Sequence, residues 1–350
     1  MLSPRAEVVL KSIIGRYIVN AMPVPSQVLV KNVDLGVSSA TIRNDMAHLE
    51  REGYVTRPHT SAGSMPTDKG YRFYVETLEG IKLPLAEQRL VSHLFHQVEK
   101  EMEEWLRLAV ALMARFVQNV AIVTLPKPPS CLFKHVELIA VQDLLALIVL
   151  ILHGARVRQQ LVTFDNSVSQ AELTAISNKL NGAYERLTCS QIMAKAKDMD
   201  ITPLEQQVTE SLTNIMRGED GQEYDIPYLD GLHLMLNQPE FISNERVLSF
   251  LELVEQHNLL KTIIPEEEER PGVHIVIGKE NKAEVIQDYS VVISRYGLQG
   301  EALGTIGIVG PTRMPYARVI CTVEYLAAVL SELMSELYGK DTSAKYKGAQ

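Results

Sequence analysis

The N-terminal segment is cut into three short helices by its own punctuation, and few folds accept that cut. Ser3-Pro4 with Glu7 in the following turn is a helix start: a hydroxyl cap, a proline at the first helical position and an acid at the positive end of the dipole. Leu10, Ile13, Ile14 and Tyr17 then recur at the spacing of one buried face. Asn20 to Pro25 cannot continue that helix, because Pro23 and Pro25 remove donors and push their predecessors out of helical backbone. Ser26 opens a second helix to about Lys31, Asn32 to Val37 with Gly36 is a tight connection, and Ser38 caps a third helix that runs to about Glu52 and closes at Gly53. Tyr54 to Arg57 reads as a strand, Pro58 to Ser64 as a polar loop, and Thr67 to Val75 as a strand end turning into a linking helix. Two short helices, a brief turn and a following hairpin are the plan of a winged helix-turn-helix.

Charge points the same way. The 350-residue chain carries a net charge of −9, yet residues 1–75 hold nine Lys and Arg against six acids. A basic minority on an acidic body suits contact with a polyanion by one part only. The longest apolar run, Leu144 to Leu152, is far shorter than the roughly 18–20 residues a membrane helix needs. The first residues lack the basic-then-apolar layout of a secretory signal, so the expected location is the cytoplasm. Cys131, Cys189 and Cys321 are few, odd in number and scattered, and read as buried thiols.

The rest of the chain predicts an α+β fold. A helical stretch from Ala86 to about Asn119 precedes a strand at Ala121 to Thr124. Three strands, His135 to Val141, Leu144 to Leu152 and Val157 to Phe164, predict an antiparallel meander. Helices follow at Ser169 to Leu187, near Ile192 and from Pro203 to Arg217, with Gly218 to Gln222 as a linker. The last third reads as a strand near Leu232 to Leu236, a helix from Asn244 to His257, strands at Val273 to Ile277, Ser290 to Tyr296 and Gly304 to Val309, and a closing helix from Tyr316 to Leu337. This is an antiparallel sheet with helices on one side, interrupted by an inserted block. The expected domains are 1–85, 86–127 with 222–340, and 128–221 as the insert.

At about 100° per residue, Ile42, Met46 and Leu49 cluster on the inner face of the third helix, while Ala40, Asn44, Ala47, His48 and Arg51 face outward with Thr41 and Arg43 on the flanks. Small residues admit close approach to a groove floor, Asn pairs with an adenine edge, and Arg pairs with guanine or phosphate. Ser39, Ala40, Thr41, Arg43 and Asn44 are therefore the base-reading candidates, Ser38 and His48 join them as DNA-binding residues, and Asp45, Glu50 and Glu52 are expected off the groove. Arg57, His59, Thr60 and Ser61 in the wing are candidate phosphate contacts, joined by Lys69 and Arg72. Other patterns read more plainly. His93, His96 and Glu99 make a solvated helical face, Gly304 to Gly310 lacks the Walker lysine and the dinucleotide spacing, Glu266 to Glu269 is a charged loop, and Trp105 is packing. No catalytic set, metal site or cofactor site stands out.

The runs Val37 to Met46, Gly53-Tyr54-Val55, His59 to Gly63, Pro66 to Arg72, and Gly310-Pro311-Thr312-Arg313-Met314 followed by Tyr316 resemble the HrcA family of bacterial heat-inducible transcription repressors over nearly the whole chain. The resemblance implies a homodimer on double-stranded DNA at an inverted-repeat operator ahead of chaperone operons, with the chaperonin assisting the repressor into its active form. It also implies a GAF-like domain interrupted by a dimerising insert, and a basic wing tip where Ser64 stands. Two rivals are a metabolite-responsive winged-helix regulator with an effector pocket in the GAF-like domain, and an enzyme merely tethered to DNA.

Overall fold

The computed structural model describes residues 2–32, 38–59, 62–99, 101–127, 130–153, 156–221, 227–241, 247–248, 251–252, 272–298 and 302–337. Two compact units divide the chain: Met1–Leu125 with Ile226–Gly297 and Gly304–Gln350 form one, and Pro126–Asp225 with Leu298–Leu303 the other.

The first unit begins with helix α1 (Pro4–Asn20), whose Ser3 Oγ accepts from the Ala6 amide at 3.2 Å and whose buried face is Ala6, Val9, Leu10, Ile13 and Ile14. Helix α2 (Ser26–Asn32) follows, the connection at 33–37 lies outside the described residues, and α3 (Ser39–Arg51) starts on Ser38, whose Oγ accepts from the Thr41 amide. Gly53, at φ +77°, turns the chain into a two-strand wing of β1 (Val55–Thr56) and β2 (Met65–Pro66), with Val55 opposite Pro66. The segment expected as a strand end is helical from Asp68. Thr67 Oγ1 accepts from the Gly70 amide and donates to Gly53 O, which starts α4 (Asp68–Glu76) immediately after the wing. Ser64 is not at the wing tip. It is fully buried at the wing root, where its backbone exchanges hydrogen bonds with Val24 at 2.9 and 3.0 Å, a position at which a basic side chain would be taken out of water.

The same unit contains α5 (Leu85–Gln97), α6 (Met102–Val117) and a five-stranded sheet ordered β7 (Tyr228–Asp230), β3 (Val120–Val123), β10 (Ala302–Pro311), β9 (Tyr289–Leu298), β8 (Val273–Ile277). β3 lies antiparallel to β7 and β10, as β8 does to β9. The helical stretch read as continuous is broken, with Val98 and Glu101 both extended, and α6 restarts with Glu103 and Glu104 at its positive end. Leu232 to Leu236 is helix α10 and not a strand. Gly231, at φ +85°, turns the chain out of β7, and a Cβ there would stand 2.2 Å from the Asn119 carbonyl oxygen. The closing helix α11 (Tyr316–Leu337) packs beside α6, burying Val319, Val323, Leu326 and Leu330. Gly304 and Gly307 lie in β10 because the Tyr296 ring and Ile293 occupy the space above them, so this run is sheet and not a phosphate cradle. The helix expected from Asn244 to His257 falls almost wholly outside the described residues, and the Glu266 to Glu269 run does so entirely.

The second unit is a meander, β4 (Phe133–Gln142), β5 (Leu145–Leu152) and β6 (Arg156–Thr163), with α7 (Gln170–Tyr184), α8 (Cys189–Asp198) and α9 (Pro203–Gly221). Alternation along β5 sends Ala146, Ile148, Leu150 and Leu152 into a core shared with Leu173, Leu180, Val208 and Leu212. The expected linker at Gly218 stays helical through Gly221. Glu219 is buried against Arg158 Nε at 2.5 Å and Arg156 Nη1 at 3.2 Å, and Asp220 accepts from the Cys131 amide at 2.7 Å.

Among the described residues no helix is long and apolar enough to cross a membrane, and no three His, Cys, Asp or Glu are placed to hold a metal.

Candidate nucleic-acid interface

The third helix owes its orientation to what it buries. Ile42, Met46 and Leu49 pack inward, and so does Asp45, whose carboxylate takes Arg5 of α1 in two bonds, Nε to Oδ2 at 2.7 Å and Nη2 to Oδ1 at 3.0 Å. This ion pair, which holds the Arg5 guanidinium above its ordinary value, ties α3 to α1. An acid standing within an apolar stripe is the sequence signal that could have revealed it.

With that face fixed, Ser38, Ser39, Ala40, Arg43, Asn44 and His48 are exposed together, and Thr41 is half-exposed. Ser38 Oγ lies 3.0 Å from Thr41 Oγ1, which presents both hydroxyls at the start of the helix. Arg43 Nε reaches Ser26 Oγ of α2 at 3.4 Å, a long contact that leaves the guanidinium on the surface. The arrangement is a row of short hydrogen-bonding side chains flanked by one cation, with little bulk to hold a duplex off.

The wing candidates are distributed less evenly. Arg57 is half-exposed and pairs with Glu50 at 3.3 Å, and His59 is exposed, its carbonyl accepting from the Ala62 amide. Thr60 and Ser61 lie outside the described residues. Lys69 is exposed, donates to Glu52 O at 2.7 Å and stands 4.4 Å over the Tyr54 ring, so its charge sits beside the end of α3.

Arg72, a further candidate phosphate contact, is held within its own unit. Its Nε donates to Glu280 Oε1 at 2.8 Å, while Nη2 donates to Ile275 O at 2.7 Å and to Glu280 Oε2. The hydrogen bond to Glu280 raises the guanidinium above its usual value. The residue is engaged with the body of its own unit, and one turn earlier on α4 Asp68 accepts from the Lys279 amide at 3.0 Å. Beside them Tyr71 and Tyr316 are buried with ring centroids 5.6 Å apart. Arg313 holds Glu240 at 2.5 and 3.1 Å and donates to the Ile18 carbonyl at the end of α1. Sequence reading missed this joint. Its signal was the charged Arg313 in a run shared with a known family.

Comparison with known proteins gives the site its context. The family described as HrcA protein C terminal domain matches residues 103–320, and the DeoR-like helix-turn-helix domain matches residues 32–67. The chain is 52% identical over 345 residues to a protein of Dehalococcoides mccartyi named heat-inducible transcription repressor HrcA, covering 99% of each. It is 41% identical to the like-named protein of Herpetosiphon aurantiacus, covering 97% of each. A crystal structure described as a hypothetical protein covers 96% of this chain and 99% of its own, at a TM-score of 0.62 and 24% identity, and supports the fold alone.

Proposed function

This chain belongs to the HrcA family of heat-inducible transcription repressors, and on that premise we propose that two copies each lay α3 in the major groove of an inverted-repeat operator ahead of chaperone operons. It is a DNA-binding regulator and not an enzyme, as its named relatives are repressors. The observation that carries the reading is the exposed, capped start of α3, where Ser38, Ser39, Ala40, Thr41, Arg43 and Asn44 face away from the packed side. Ser39 and Ala40 let the helix approach, Arg43 and Asn44 read base edges, and His48 lies further along the same face. Arg57, His59, Thr60, Ser61 and Lys69 hold the flanking phosphates. Arg72 drops out of that set.

A homodimer is supported by the outer face of the meander. Leu145, Leu147, Val149 and Ile151 line the half-exposed side of β5, and Leu147 stands opposite Ile139 on β4 and Leu161 on β6, which are 43% and 57% exposed. An apolar sheet face of this kind asks for a cover, and a second copy supplies one of matching chemistry. Pairing also answers the modest charge of the N-terminal segment, since linking two weak sites raises affinity through effective concentration. The family likeness supports the remaining steps. Heat unfolds the chain or loosens the pair, the chaperonin returns it to its active form, and damaged proteins that occupy the chaperonin delay repression. A protein acting on bacterial operons works in the cytoplasm, and the body that carries the five-stranded sheet is read as GAF-like on the family resemblance alone.

A footprint on promoter DNA tests the reading. Wild type is expected to protect a symmetric site, and Arg43→Ala to weaken binding by about 1–3 kcal/mol. Asymmetric protection, or unchanged affinity in the variant, would overturn it. Full operator affinity after heat shock regardless of added chaperonin would remove the chaperonin step.

A further inference from the structure

Helix α4 connects the recognition elements to the body without slack. At its start, Thr67 bonds to the Gly53 carbonyl and Lys69 to the Glu52 carbonyl, and Gly70 is pressed so near Tyr54 that a Cβ would stand 2.2 Å from its carbonyl oxygen. On the side facing the body, Asp68 and Arg72 lie one turn apart and both grip residues 275–280. Asp68 takes the Lys279 amide in the space left by the missing side chain of Gly278, at φ +52°. Glu280 is braced by the Ile277 amide at 2.8 Å and meets Arg72 in a two-point pair. Such fork-to-carboxylate geometry fixes orientation as well as distance.

We propose that this clasp, Asp68 and Arg72 against the 275–280 turn, sets the separation of half-sites that the paired repressor accepts. Arg72 is then a positioning residue that determines specificity without touching DNA. The inference rests on the two-copy reading above. Linked sites gain from each other only when both can be engaged at once, so a rigid joint turns the angle of each winged helix into a preferred spacing.

The test uses the full chain as wild type, Arg72→Ala, Glu280→Gln and the exchanged pair Arg72→Glu with Glu280→Arg. The probes are the footprinted inverted repeat, the same duplex with its centre lengthened or shortened by one or two base pairs, and a single half-site. Wild type is expected to favour one separation by about tenfold or more. Arg72→Ala and Glu280→Gln are expected to lose most of that preference, with single half-site affinity within about twofold of wild type and the salt slope unchanged. The exchanged pair should recover part of it. If Arg72→Ala weakens every duplex, half-site included, and lowers the salt slope by about one, the residue is a phosphate contact and the proposal falls. A wild-type spacing profile in Glu280→Gln also ends it. Wild type that binds one half-site as tightly as two would remove the two-copy reading itself, a result visible before any variant is compared. Melting temperatures verify folding. Should Arg72→Ala not fold, Glu280→Gln, whose amide oxygen still accepts from Ile277, decides the question.

Discussion

Gly70 lies under the Tyr54 carbonyl with no space for a methyl group, so Gly70→Ala must lift α4 from the wing strand. We expect a loss of several kcal/mol, read as a lower urea midpoint, with operator binding lost alongside. The Cys131 thiol supplies a pH test. Burial, then the nearby Asp220 carboxylate, push it up to about 12 from an ordinary value of 9.0. Between those values the unfolded chain has lost a proton that the folded chain keeps, so this thiol's contribution is full below pH 9 and declines as pH rises toward 12. Urea midpoints measured from pH 8 to 11 should fall less steeply in Cys131→Ala than in wild type. The outward residues of α3 were legible because helical spacing is local. Arg72, Asp45 and Ser64 were not, because what defines each is a partner far along the chain: Glu280, Arg5 and Val24.

Helix α1 carries a glycine at position 15 with nothing within 4 Å of where its Cβ would be. Gly15→Ala should therefore stabilise the chain by about 0.5–1 kcal/mol, by removing backbone freedom from the unfolded state, and thermal melting would record it. Elements whose ends are written in their own residues were readable in advance. Ser3-Pro4 starts α1, Ser38 starts α3, and β5 is an unbroken apolar run that ends short of His153. Elements whose ends depend on tertiary space were not. Nothing at Val98 resembles a breaker, and the acids that follow are the only local sign that a new helix begins. The run Leu232 to Leu236 alternates apolar and polar residues only at its start, its Leu and Met favour a helix, and Gly231 in left-handed backbone ends β7 before it. The glycines flanking Glu219 suggested a linker, and two arginines on β6 hold that residue within a helix.

For the whole molecule, the apolar outer face of the meander sets the prediction. Leu147→Glu should place a charge between Ile139 and Leu161, shift sedimentation toward a single copy, and leave single half-site affinity within about twofold of wild type while two-site affinity falls about tenfold or more. Unchanged sedimentation would move the contact elsewhere. Sequence patterning made the strands of both sheets largely visible, but strand order was beyond it, because pairing across an insertion leaves no local trace. That order has a cost during synthesis. Val123 on β3 waits for Ile306 on β10, with the intervening chain still to be made. At about 5–20 residues per second the ribosome leaves one edge of β3 bare for roughly ten to forty seconds. A nascent chain so arranged is born sticky, and carries a standing need for shelter before it can do any work.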